Sequence, residues 1–146
     1  MKVEFDIKTQ DIPEANLDKA LYEIEDYLLA STKARFNTMI APDGTAWQPL
    51  SPAYYAVKPR NKNLILTLNG YLRRSIYSIR GEDTVTIGSN ISYAGTHQYG
   101  RGRIPARPFI GLSENDNQFI QNTLSEWAIA KAEGLLSRVL RRLFSF

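Results

Sequence analysis

Val3, Phe5 and Ile7 alternate with Lys2, Glu4, Asp6 and Lys8, the two-residue period of a strand with one buried face, and predict a strand over residues 2–8. The period then changes. After Asp11, Pro13 stands where a first helical turn tolerates it, and Leu17, Leu21, Ile24 and Leu28 recur at helical spacing. This predicts an amphipathic helix reaching about Phe36, with Asp18, Lys19, Glu23, Glu25 and Asp26 on its other face. Two β-branched-rich runs, Ser75–Ile79 and Thr84–Ile87, are joined by Gly81-Glu82-Asp83 and predict a hairpin. Ser113 is placed to cap a last helix with Glu114 and Asp116 in its first turn, where negative charge suits the helix N-terminus. Its apolar stripe takes in Phe119, Ile120, Leu124, Trp127 and Ala128 and runs on through Leu143, with Gly134 leaving a bend or break open.

Between these elements the periodicity stops. Residues 37–63 hold four of the seven prolines (Pro42, Pro49, Pro52, Pro59), so regular structure is limited to a turn or two. Pro42-Asp43-Gly44 is a turn signal, and Ser51-Pro52 is placed to cap a short helix that Lys58-Pro59 would end. Trp47, Leu50, Tyr54 and Tyr55 are too apolar for plain disorder, so the segment reads as a long ordered extension packed on its own domain or on a partner. Leu64–Leu72 fits a short helix or a strand, and Asn69-Gly70 fits a hairpin turn or a helix end. Tyr93–Gly111 contains four glycines and two prolines and is a shaped connection in which Phe109 and Ile110 anchor to the core. The order defines an α+β fold: a small antiparallel sheet packed by an N-terminal and a C-terminal helix, with a long Pro-rich extension between.

The 146 residues suit a single domain, 1–146, with a core large enough to need no metal or disulfide staple. The absence of cysteine excludes disulfides, thiolate metal sites and a Cys nucleophile. No apolar run approaches the roughly 18 residues of a membrane span, and the alternating start is unlike a signal peptide. Synthesis in a cytoplasm without a membrane partner is expected.

Charge is segregated along the chain. Residues 1–32 hold three Lys/Arg against eight Asp/Glu, residues 33–112 eleven against three, and residues 113–146 four against four. No Asp or Glu falls between Asp83 and Glu114, so Arg101, Arg103 and Arg107 form an uncompensated cationic loop. Such a stretch attracts phosphates or an acidic protein face. It also suits head-to-tail contact between copies, the acidic part of one against the basic part of the next.

Catalytic chemistry finds little support. His97 is the only histidine, and neither Tyr93 nor Gln98 offers a carboxylate to orient it, so a structural role outweighs a hydrolase or metal site. The carboxylates fall on a solvated helix face or in a turn, and the glycines form no phosphate-binding pattern. No cofactor is expected. Arg101-Gly102-Arg103 beside Tyr99 has the mix of cations and stacking ring used on single-stranded nucleic acid. A small basic nucleic-acid-binding protein, using these residues with Arg107, Lys58, Arg60 and Lys62, is therefore the alternative reading. The basic tail Arg138, Arg141 and Arg142 suits a solvated helix C-terminus.

Four motifs in order carry a resemblance: Pro42 to Ser51 (PDGTAWQPLS), Leu68 to Leu72 (LNGYL) with Ser75-Ile76, Tyr93-Ala94 with His97-Gln98-Tyr99-Gly100, and Ile104 to Gly111 (IPARPFIG). Together they resemble the phage virion morphogenesis proteins, the G-like tail completion proteins of Mu-type phages and prophages, over roughly residues 36–116. The sequence departs from that pattern at Asn69, where Thr is commoner, and in the Leu/Arg-rich tail after Lys131. The resemblance implies a non-enzymatic structural protein of a tailed phage or prophage, acting in tail completion or head-tail joining. Its partners would be tail or head-tail connector proteins and further copies of itself, a ring included, with DNA contact secondary. Its location would be the virion, after assembly in the host cytoplasm. The candidate partner interface comprises Trp47, Lys58, Arg60, Arg101, Arg103 and Arg107, with the arginines facing outward.

Overall fold

The computed structural model describes residues 1–6 and 17–144, the side chains of Asp6, Leu135 and residues 137–144 excepted. The expected strand positions Ile7 and Lys8, the helix-opening Pro13 and the side chains of Arg138, Arg141 and Arg142 lie outside the described residues.

Three strands form an antiparallel sheet in the order β1-β3-β2, with β1 at Lys2–Asp6, β2 at Ile76–Arg80 and β3 at Thr84–Ser89. The register puts Val3 opposite Ile87, Phe5 opposite Val85 and Ser78 opposite Ile87 on the other side. Cross-strand partners share a face, so the alternation read in the first strand and the β-branched run of β3 build one apolar surface. Helix α1, Leu17–Thr38, covers it with Leu21, Ile24 and Leu28, all fully buried. Glu25, beside that stripe, accepts hydrogen bonds from Ser78 (2.8 Å) and Arg80 (3.0 Å) and fixes α1 along β2. Helix, sheet and hairpin thus follow the predicted α+β order.

The final helix α5, Glu114–Phe144, runs without a break through Gly134. Its first turn is capped reciprocally: Asp116 N–H donates to Ser113 Oγ (3.1 Å) and Ser113 N–H to Asp116 Oδ2 (2.8 Å). Asp116 also pairs with buried Arg35 and accepts from Ser31, while Phe119 stacks on Tyr27 at 3.8 Å. These contacts lay α5 antiparallel on the second half of α1.

The Pro-rich stretch folds in pieces. Asp43 Oδ1 takes the amide and hydroxyl of Thr45, closing the Pro42-Asp43-Gly44 turn, and an isolated bridge pairs Ile40 with Ala46. Ser51 then caps the short helix α2, Pro52–Val57, whose end coincides with Lys58-Pro59. Asn69-Gly70 is neither a hairpin turn nor a helix end; Gly70, at φ 76°, opens the one-turn helix α3, Tyr71–Arg74.

Candidate functional site

A cleft of about 560 Å³ opens between α2, the segment Leu66–Leu72 and the loop Arg103–Arg107. All four sequence motifs contribute to it or brace it. Leu50 and Ser51 come from the first, Leu68 to Leu72 from the second, Tyr93 and His97 from the third, and Ile104, Pro105 and Arg107 from the fourth.

The braces are hydrogen bonds made by a few polar side chains. Helix α4, Ala94–Tyr99, ends at Gly100 (φ 77°), where a Cβ would sit 2.9 Å from the Ala106 nitrogen and 3.0 Å from the Ile104 carbonyl oxygen. Only glycine lets the chain double back so closely. Arg101 and Ile104 then close a tight turn by exchanging backbone bonds, and Arg107 N–H returns to the His97 carbonyl at 2.7 Å. Gln98, buried in α4, accepts from the amides of Phe109 (3.0 Å) and Ile110 (3.1 Å) and donates to the Ile110 carbonyl (2.8 Å). Phe109 and Ile110 are thereby held in the core, as their apolar character predicts.

The outward-facing position expected of the arginines needs correction for Arg107, and two further interface candidates, Trp47 and Lys58, are buried as well. Trp47, 4 % exposed, packs edge-on against Phe36 and donates its indole N–H to the Pro108 carbonyl at 2.7 Å. Arg107, 7 % exposed, donates to the carbonyls of Gln48 (2.7 Å) and Pro49 (2.9 Å). Lys58, 2 % exposed, donates to the carbonyls of Asn61 (2.8 Å) and Leu64 (2.7 Å). Irregular backbone carries carbonyls that no ladder satisfies, and buried carbonyls need donors. These side chains supply them, and burial pulls the pKa of both Lys58 and Arg107 below its ordinary value. Arg60, Arg101 and Arg103 remain exposed, Arg60 bonding the Asn69 side chain at 3.1 Å.

Burial first, and then the charge of Arg107, lowers the pKa of His97. The neutral ring stands edge-on to Tyr93, and its buried Nδ1 has no hydrogen-bond partner among the described residues. Among the described residues no Asp or Glu lines the cleft, and no group of three His, Cys, Asp or Glu is placed to hold a metal. Its charged lining is cationic (Lys58, Arg103, Arg107), with Tyr54, Tyr71 and Tyr93 around it.

Reading from sequence missed the bracing roles of Gln98 and Arg35, and the pairing of Asp116 with Arg35. Gln98 had one available signal, a polar residue four positions after Ala94, on the same helical face; both are buried.

The chain that carries this irregular, cationic cleft belongs to the phage virion morphogenesis family, whose model matches residues 8–128. Over 105 residues it is 36% identical to the putative capsid assembly protein G of Escherichia phage Mu, covering 64% of this chain and 67% of that one. Over 84 residues it is 33% identical to the Mu-like prophage FluMu G protein 1 of Haemophilus influenzae, covering 55% of this chain and 58% of the relative. No solved structure matches it significantly. Among the described residues no helix is long and apolar enough to cross a membrane. The protein is a phage virion assembly protein.

Proposed function

We propose that the chain is a non-enzymatic tail completion or head-tail joining protein that acts through interfaces between copies and with connector or tail proteins. The observation that carries this reading is the convergence of all four family motifs on one cleft whose charged lining is cationic and whose rim is aromatic. Tyrosine and arginine around a concave surface suit protein recognition, where each brings large contact area and directional bonds. The protein would work in the host cytoplasm during assembly and stay in the virion.

Disrupting the reading frame in an inducible prophage tests it. Electron micrographs of the lysate should show capsids and tails that accumulate unjoined or with unfinished tail ends, and a complementing copy should restore infective particles. A normal yield of infective particles without the protein overturns the proposal.

The nucleic-acid reading keeps one observation, the exposure of Tyr99 beside Arg101 and Arg103. Submicromolar binding of generic DNA by the isolated chain, weakening steeply above about 50 mM salt, would favour it. The assembly reading expects DNA contact to be secondary, without tight generic binding.

A further inference from the structure

We propose that the β2–β3 hairpin tip of one copy, Gly81-Glu82-Asp83, seats in the cleft of a second copy, so that subunits join head to tail. The inference rests on the assembly reading and names the occupant of its cleft.

The folded chain has two charged ends. Glu82 and Asp83 are exposed at the tip, and the exposed Asp18, Glu23 and Asp26 of α1 lie on the helix half that flanks it, with Lys19 the one cation of that half outside an ion pair among the described residues. The tip's neighbour Arg80 is already paired with Glu25 and lies over the Tyr22 ring at 5.5 Å. At the other end the cleft carries Lys58, Arg103 and Arg107, with no carboxylate in its lining among the described residues. Among the described residues none of these three forms an ion pair.

Strand β2 holds the two ends apart. Its five residues start just after α3, whose Leu72 lines the cleft, and end at the tip; at about 3.4 Å per residue they separate the two by roughly 17 Å. A chain cannot fill its own cleft with its own tip, so the occupant comes from another molecule. Complementary patches at opposite ends of one subunit make a heterologous contact, which closes into a ring or continues as a filament.

Shape agrees with charge. A hairpin turn is a narrow projection bearing two adjacent carboxylates, and a cleft of about 560 Å³ admits a few side chains. Glu82 and Asp83 meet exposed Arg103 at the mouth, with Tyr54 and Tyr71 beside them.

The chain has no cysteine, so engineered ones report contact without background. Full-length Asp83→Cys and Asn69→Cys chains, the second altered at the cleft, are mixed under mild oxidation and followed by denaturing electrophoresis. The mixture should form disulfide-linked dimers about tenfold faster than either chain alone. Glu82→Lys in the first chain, or Arg103→Glu in the second, should slow this about tenfold through like-charge contact, and combining both reversals should restore it. Circular dichroism checks that each variant is folded. Equal rates from single chains and mixture, or rates indifferent to the charge reversals, overturn the proposal. If cross-linking fails while particles lacking the protein still stall, the hairpin contact is wrong and the assembly role stands. If particles form normally without the protein, the assembly role falls, and the cross-link alone decides the contact.

Discussion

Gln98 and Ile110 exchange two hydrogen bonds, side-chain amide to backbone carbonyl at 2.8 Å and backbone amide to side-chain carbonyl at 3.1 Å. The carboxamide acts as one rung of a sheet where no strand exists, and its oxygen also takes the Phe109 amide. Gln98→Ala leaves three buried backbone groups unpaired. It should cost about 3 kcal/mol, since each such group is worth roughly 1 kcal/mol or more. Urea unfolding measures it, and a loss below about 1 kcal/mol would mean water replaces the side chain.

Arg103 and Arg107 differ by four residues and by role. Arg107→Ala deprives the Gln48 and Pro49 carbonyls of charged donors and should destabilise by about 2 kcal/mol, with faster protease cleavage near α2. Arg103→Ala, at an exposed position, should stay within about 0.5 kcal/mol of the parent. Equal losses from the two would contradict the division into brace and surface.

Arg35 and Asp116 form a buried pair joining α1 to the start of α5, and Arg35 also donates to the Phe109 carbonyl at 3.0 Å. Removing one partner strands the other's charge, so Asp116→Ala should cost about 3–5 kcal/mol. Arg35→Met combined with Asp116→Ala should lose clearly less than the sum of the single changes. A double-mutant cycle gives the coupling, and strict additivity would show that the pair is not energetically linked.

His97 predicts a pH dependence. Its folded pKa lies below the ordinary value of about 6.5 because of burial and Arg107, so the unfolded chain binds the proton more readily. The contribution is fully present above that ordinary value and is lost as pH falls toward the folded pKa. Denaturation midpoints should therefore drop between pH 7.5 and pH 5.5, roughly one unit either side of the free imidazole value, and His97→Gln should flatten that drop. An unchanged slope in the variant would assign it to other groups.

Much of the frame was legible because its signals are local. Leu21, Ile24 and Leu28 announce a helix by spacing, Ser113 with Asp116 a capped start, and Thr84–Ile87 a strand, each within a few residues. The candidate site was legible as motifs but not as an arrangement. Arg107 and Arg103 look alike along the chain; only the carbonyls of Gln48 and Pro49, about sixty residues away, make one a brace. The bracing contacts of Lys58 were hidden for the same reason, since its partners are carbonyls of an irregular turn that no periodicity predicts.

The sequence by itself determined the α+β order, the segregation of charge and the motif set of the family, because each depends on residue identity and short-range spacing. Only the tertiary structure decided which cations are internal, that the four motifs converge on one cleft, and that the acidic hairpin tip and that cleft lie at opposite ends of the subunit. Those outcomes depend on which backbone carbonyls lack partners once α1, the sheet and α5 have packed, a condition fixed by contacts between residues far apart along the chain.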